Sequence, residues 1–121
     1  MGQKRVGKSI LVVEDEVMIG MMIEDFLESL GYHMHGLAAT VQDGCALARE
    51  DGIDAAILDC NLHGEKSWPV AEILSERGIP FIFATGGNSD DVPAALSHHP
   101  SITKPFTIGA IERALDQILN E

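Results

Sequence analysis

Side chains that could carry chemistry follow the apolar runs of this 121-residue chain. The first run is followed by Glu14 and Asp15, a later run ends in Asp59, and two further runs are followed by Thr85 and Lys104. Clustered carboxylates repel one another and are costly to desolvate unless a cation bridges them, and carboxylate oxygens with waters and a backbone carbonyl suit magnesium. A hydroxyl and an ammonium group add donors for phosphoryl oxygens. Together these residue types favour phosphoryl transfer to a carboxylate nucleophile.

Each of these residues also has an ordinary structural interpretation. Acidic residues at 14–16 could complement the dipole of a following helix, and Asp59 could be a turn residue. Thr85 could be a helix N-cap, and Lys104 taken alone is typical of a solvated surface. The functional interpretation therefore depends on their order along the chain, since they fall at the ends of the first, third, fourth and fifth expected strands.

The elements that must position these residues alternate regularly. A short apolar run followed by an amphipathic stretch occurs five times, which predicts an α/β single domain with a doubly wound, parallel five-stranded sheet and helices on both faces. The expected strands are Ile10–Val13, His33–Leu37, Asp54–Asp59, Pro80–Ala84 and Ser101–Thr103. In such sheets ligands lie beyond the carboxyl ends of the strands, so the residues that end each strand should converge in space.

Capping residues and apolar spacing predict the helices. Thr40 is expected to cap the second helix and Ser67 the third, with Pro69 tolerated in the first turn of the third. The fourth helix, near 89–96, is expected to be short and poor. The first and last helices carry apolar stripes, and the methionines of the first helix are interpreted as core residues: Met18, Met21 and Met22.

The overall charge excludes several classes of protein. Eight basic and nineteen acidic residues give a net charge of −11, which disfavours direct binding to nucleic acid or to an anionic membrane. No apolar run has the roughly 18 residues that a membrane-spanning helix needs. We expect no membrane insertion and a cytoplasmic location.

Four motifs at their spacings resemble the receiver domain of two-component response regulators. They are Leu11-Val12-Val13-Glu14-Asp15-Glu16, Ile57-Leu58-Asp59-Cys60-Asn61-Leu62, Phe83-Ala84-Thr85-Gly86 and Thr103-Lys104-Pro105-Phe106. The resemblance implies a flavodoxin-like fold of five β–α units, with residues 1–8 as an N-terminal extension and 9–121 as the receiver domain. The Phe-Ala-Thr-Gly run further resembles stand-alone receivers of alphaproteobacterial signalling.

The resemblance also implies a role for each residue of the site. Asp59 would accept a phosphoryl group from the phosphohistidine of a histidine kinase or a phosphotransfer protein. Mg²⁺ would be held by Glu14, Asp15, Asp59 and the backbone carbonyl of Asn61. Thr85 and Lys104 would contact the phosphoryl oxygens, and a cis bond at Pro105 would aim the lysine inward.

This chain departs from the family pattern at two positions, one of which is the family's usual switch residue. His63 stands where the family usually has proline, and Ser101 stands where it usually has an aromatic switch residue. We expect switching to rest on the loop that contains Gly86 and Gly87, and protein contacts to form on residues 89–120. The five histidines show no metal-binding spacing and are interpreted as surface or packing residues.

The expected function is that of a single-domain response regulator that binds a downstream protein target or passes the group on. It would catalyse its own phosphorylation and dephosphorylation and turn over no separate substrate. One alternative is a degenerate receiver that acts only as an interaction module. Another is a small magnesium-dependent aspartyl phosphohydrolase, which Asn61 disfavours because that family needs an acid two residues after its nucleophile.

Overall fold

The computed structural model describes residues 7–85, 92–104 and 106–119. Its strands are β1 (Ser9–Val13), β2 (His33–Ala38), β3 (Ala55–Asp59), β4 (Asn61–Leu62), β5 (Glu65–Lys66), β6 (Phe81–Thr85) and β7 (Ser101–Thr103). Its α-helices are α1 (Val17–Ser29), α2 (Val41–Ala48), α3 (Trp68–Glu76) and α4 (Ile108–Leu119). Within these ranges no helix is long and apolar enough to cross a membrane.

The five longer strands form one parallel sheet in the order β2-β1-β3-β6-β7. This arrangement confirms the expected flavodoxin-like sheet. The order reverses beside β1, so the space beyond the carboxyl ends of β1 and β3 is the switch point at which such sheets bind ligands.

Two apolar cores lie on opposite faces of this sheet. Side chains alternate across a strand, so Ile10 and Val12 contribute to the core that contains residues of α1 and α4, while Leu11 and Val13 contribute to the core that contains residues of α2 and α3. Strands covered on both faces need apolar residues at every position, which explains the continuous apolar runs of β1, β3 and β6.

The two predicted N-cap residues, Thr40 and Ser67, both begin helices, but only one of them makes a capping hydrogen bond through its side chain. The Thr40 hydroxyl accepts a hydrogen bond from the Asp43 N–H at 3.1 Å, as expected of a cap. Ser67 also occupies an N-cap position, with Pro69 in the first turn, but its side chain makes no capping hydrogen bond. The predicted N-cap position of Ser67 is therefore confirmed, whereas its side chain is buried and makes no capping hydrogen bond.

The prediction of a fourth helix near 89–96 is wrong for residues 92–96, the part of it that the structure describes. Residues 92–96 contain only a single 3₁₀ turn, Ala94–Leu96, preceded by Pro93 in an extended conformation. Proline fixes φ and lacks an N–H group, and the conformation of Pro93 prevents a regular helix from running through this point. Residues 86–91, which include the expected switch residues Gly86 and Gly87, lie outside the described ranges.

The methionines of α1 contradict the prediction that they lie in the core. Met18 is 83% exposed and Met21 is 58% exposed, and only Met22 packs partly against the core. The buried face of α1 is formed by Gly20, Ile23 and Leu27. Because α1 is apolar around more than one side, its periodicity could not identify the face that packs on the sheet.

A short antiparallel hairpin, absent from the expected elements, follows β3. Strands β4 and β5 pair through Asn61 with Lys66 and Leu62 with Glu65, which leaves His63 and Gly64 as a two-residue turn. After the hairpin, the ring of Trp68 packs edge-on against Phe83 of β6, with 5.6 Å between ring centroids. The hairpin thus joins the end of β3 directly to α3.

Candidate active site

Glu14 lies immediately after β1 and is almost completely buried. Its backbone N–H donates to the Ala38 carbonyl at 2.9 Å, which continues the pairing of β1 with β2 beyond the last strand residue. The carboxylate oxygen Oε2 accepts a hydrogen bond from the Glu16 N–H at 3.1 Å. The other oxygen, Oε1, is buried and has no hydrogen-bond partner within the described ranges.

Asp59 is the last residue of β3 and faces the same space. Its carboxylate oxygen Oδ1 accepts a hydrogen bond from the Asn61 N–H at 3.2 Å, and Oδ2 accepts one from Lys104 Nζ at 2.7 Å. The register pairs Asp59 with Ala84 of β6, so Thr85 stands one residue further along the neighbouring strand. The expected convergence of these strand ends is therefore observed.

Lys104 is brought into the site by the end of the sheet. Its backbone N–H donates to the Thr85 carbonyl at 2.8 Å, and its ammonium group lies 3.4 Å from Glu14 Oε1 in addition to its contact with Asp59. Burial alone would lower the pKa of Lys104, but the hydrogen bond and the negative charge of Asp59 raise it above its ordinary value. The side chain therefore stays a cation between two carboxylates.

One carboxylate oxygen from each of Glu14, Asp15 and Asp59 lies within 4.8 Å of the others. Burial, assisted by the negative charge of Asp59, raises the pKa of Glu14 to about 7. Hard oxygen donors in this number suit Mg²⁺, and the buried Glu14 Oε1, which makes no hydrogen bond within the described ranges and lies 3.4 Å from the Lys104 ammonium, could coordinate a bound cation. The residues present therefore fit the cation that the sequence indicated.

Asp15 makes a contact that the sequence did not indicate. Its oxygen Oδ2 accepts a hydrogen bond from the His63 N–H at 2.9 Å, and the His63 ring nitrogen Nδ1 lies 3.6 Å from the same oxygen. Although burial raises the pKa of Asp15, the hydrogen bonds from His63 and Glu14 lower it below its ordinary value. The interpretation of His63 as a surface or packing residue missed this role. The signal available was a His-Gly pair between two short segments able to form a hairpin.

The structure thus brings together Glu14, Asp15, Asp59 and Lys104, and places Thr85 at the adjoining strand end. Asn61 contacts Asp59 through its N–H, and the use of its carbonyl as a metal ligand stays a prediction. Ser101 is exposed at the start of the last strand and carries no ring that could act as an aromatic switch. Pro105 lies outside the described residues, so its cis bond stays a prediction.

Known proteins of similar sequence are transcriptional regulatory proteins. The chain is 27% identical over 118 residues to the transcriptional regulatory protein PdtaR of Mycobacterium tuberculosis. This alignment covers 92% of this chain and 56% of that protein. The chain spans about half the length of the curated relatives that it matches.

Solved structures agree with the observed fold. The solution structure of SdrG from Sphingomonas melonis Fr1 is 50% identical, covers 93% of this chain and 97% of that chain, and superposes with a TM-score of 0.83. The receiver domain of sensor histidine kinase PA1611 from Pseudomonas aeruginosa PAO1 was solved with magnesium coordinated in its active site cleft. It is 24% identical, covers 96% of this chain and 100% of that chain, and has a TM-score of 0.83, which supports the fold.

The model of the response regulator receiver domain family matches residues 10–116, which include the four residues that converge at the site and Thr85 beside them. This chain belongs to the response regulator receiver domain family.

Proposed function

We propose that this chain accepts a phosphoryl group on Asp59 from the phosphohistidine of a histidine kinase or a phosphotransfer protein, with Mg²⁺ bound beside it. One observation carries this proposal. Three carboxylates contribute oxygens that lie within 4.8 Å of one another, and a lysine ammonium lies 2.7 Å from the one that ends β3. One ammonium group does not offset three carboxylates, and a bound divalent cation would offset the remaining negative charge.

The proposed reaction moves the phosphoryl group from a histidine nitrogen of the donor to a carboxylate oxygen of Asp59. A carboxylate oxygen of Asp59 attacks phosphorus, the phosphorus–nitrogen bond of the donor breaks, and the electron pair returns to the imidazole ring. The product is an aspartyl phosphate, which water later hydrolyses to the carboxylate and inorganic phosphate. Lys104 and Thr85 would contact the phosphoryl oxygens, because the hydrogen bond from the Lys104 N–H to the Thr85 carbonyl holds these two residues together.

Glu14, Asp15 and Asp59 would hold Mg²⁺, with the Asn61 carbonyl as a further ligand. When bound, the cation supplies positive charge that offsets the carboxylates and the incoming phosphoryl group. The magnesium site described for the PA1611 receiver supports this part of the proposal.

The signal would pass through protein contacts. We propose that the phosphorylated chain binds a downstream protein target or passes the group to a second histidine, and that it turns over no separate substrate. The expected contact surface at 89–120, the switching loop at Gly86 and Gly87 and a cytoplasmic location stay predictions.

Intact-protein mass spectrometry after incubation with acetyl phosphate and Mg²⁺ tests this function. A single labile phosphoryl adduct is expected on the wild type, and none on Asp59→Asn or in the presence of a chelator. If acetyl phosphate and a panel of phosphorylated histidine donors all give no adduct, the phosphoacceptor function is wrong and an interaction module is the better account. Sustained hydrolysis of a small phosphate ester would instead indicate the aspartyl phosphohydrolase.

A further inference from the structure

The turn between β4 and β5 has an unusual backbone conformation at His63. Its φ is 52°, and that of Gly64 is 86°, so both residues lie in the left-handed region. Positive φ at both central residues is the pattern of a type I′ turn, which connects two strands by two residues. Histidine adopts this region more readily than most side chains, although at some cost.

This conformation directs the His63 N–H to the carboxylate of Asp15. The N–H donates to Oδ2 at 2.9 Å across 48 residues of chain, and Nδ1 of the ring lies 3.6 Å from that oxygen. The hydrogen bond joins the turn after the acceptor strand β3 to the loop after β1. The side chain of Asp15 is 19% exposed and that of His63 is 65% exposed, so this contact is more accessible to solvent than the buried residues Glu14 and Asp59.

The usual family residue at this position could not make the contact. The receiver motif that the sequence resembles usually has proline after Leu62. Proline has no N–H to donate, and its ring fixes φ near −65°. The hydrogen bond therefore arises from the departure of this chain from the family pattern.

We propose that His63 is a positioning residue for the magnesium site, because its backbone N–H occupies one oxygen of Asp15 and fixes the orientation of this carboxylate before the cation binds. This inference rests on the proposed function, since it assumes that Asp15 is a magnesium ligand. The exposed ring stabilises the contact less than the N–H, because the ring lies further from the oxygen and in water. Hydrogen-bond partners of metal ligands orient those ligands and strengthen metal binding.

Calorimetric titration of Mg²⁺ into two variants separates the N–H from the ring. His63→Pro removes the donor and excludes positive φ, so its Kd for Mg²⁺ should rise roughly tenfold. His63→Gly keeps the donor and the conformation but lacks the ring, and should bind Mg²⁺ nearly as the wild type does. Circular dichroism and thermal unfolding without metal establish that both variants fold.

Equal affinity of folded His63→Pro and the wild type would overturn the inference. Equal weakening in His63→Gly would overturn it as well, because the ring and not the N–H would then be responsible. A wild type that binds no Mg²⁺ and takes no phosphoryl group would contradict the proposed function itself, which distinguishes the two failures.

Amide hydrogen exchange of the metal-free protein provides a readout that does not depend on the cation. The His63 amide should exchange roughly tenfold more slowly in the wild type than in Asp15→Ala, because only the wild type offers it a charged acceptor. The Asp43 amide, which donates to Thr40, serves as the control and should exchange alike in both. A His63 amide that exchanges equally fast in both proteins would contradict the contact.

Discussion

Glu14 is the residue at which burial and charge conflict most strongly. Its carboxyl is almost fully buried, one of its oxygens lacks a hydrogen bond within the described ranges, and Asp59 and Lys104 both lie close to it. Burial raises its pKa from 4.5 to about 7. The folded protein therefore binds a proton at this site under conditions in which an unfolded chain has released it.

This shift has a defined sign for stability without metal. The raised pKa stabilises the folded protein fully below the unfolded value, and that contribution is lost as the pH rises from about 4.5 to about 7. Denaturant unfolding of the wild type and of Glu14→Gln, both with chelator, isolates the effect. The stability of the wild type relative to the variant should fall across this window, by at most about 1.4 kcal/mol for each pH unit. A relative stability that rises with pH would contradict the assignment.

At the scale of elements, α1 presents an apolar surface that is not used in the core. Val17, Met18 and Met21 are exposed on the helix that begins two residues after Asp15, a proposed magnesium ligand. Exposed methionines beside a reactive site are typical of a surface that contacts a protein partner. We expect the phosphohistidine donor to dock there.

The substitution Met18→Glu tests this expectation. It should lower kcat/KM for transfer from a phosphorylated histidine protein by roughly tenfold, since it places a charge in the proposed contact. Phosphorylation by acetyl phosphate should be unchanged, because a small donor needs no docking surface. Ala46→Glu, which introduces the same charged residue at an exposed position of α2, is the control. Equal loss with both donors would show damage to the site and contradict a docking role.

Elements with strong local signals were predictable from the sequence, and those set by tertiary context were not. The apolar runs of β1, β3 and β6 predicted a buried parallel sheet, and its topology then placed Asp59 and Lys104 together. The buried face of α1 was not predictable, because Met18 and Ile23 are both apolar and only packing against the sheet distinguishes them. His63 was missed because its contact with Asp15 is made by one backbone N–H: the His-Gly pair indicates a turn, but no side-chain pattern indicates which carboxylate that N–H reaches.

At the scale of the whole molecule, the net charge of −11 opposes the compact state. Screening by any salt relieves this general repulsion, whereas a magnesium site responds to one cation in particular. The two effects can be separated because only the second requires Asp15.

Thermal unfolding in MgCl₂ and in NaCl of equal ionic strength makes that separation. Mg²⁺ should raise the Tm of the wild type beyond the effect of NaCl, in proportion to the binding free energy that ligand linkage supplies. In Asp15→Asn, the difference between the Tm in MgCl₂ and the Tm in NaCl should be smaller. An equal response to both salts in the wild type would mean that screening alone accounts for the stabilisation.

The packing of Trp68 gives the molecule an optical signal of its own. It is the single tryptophan of the chain, its ring packs edge-on against Phe83, and the ammonium group of Lys66 lies 5.9 Å from the ring centroid. The preceding residue, Ser67, donates its backbone N–H to the carbonyl of Cys60, which directly follows Asp59. A displacement of Cys60 and the hairpin that follows it would therefore move the indole relative to the Phe83 ring and the Lys66 ammonium, which both influence its fluorescence. Tryptophan emission from the unlabelled protein should therefore report phosphorylation of Asp59 in real time.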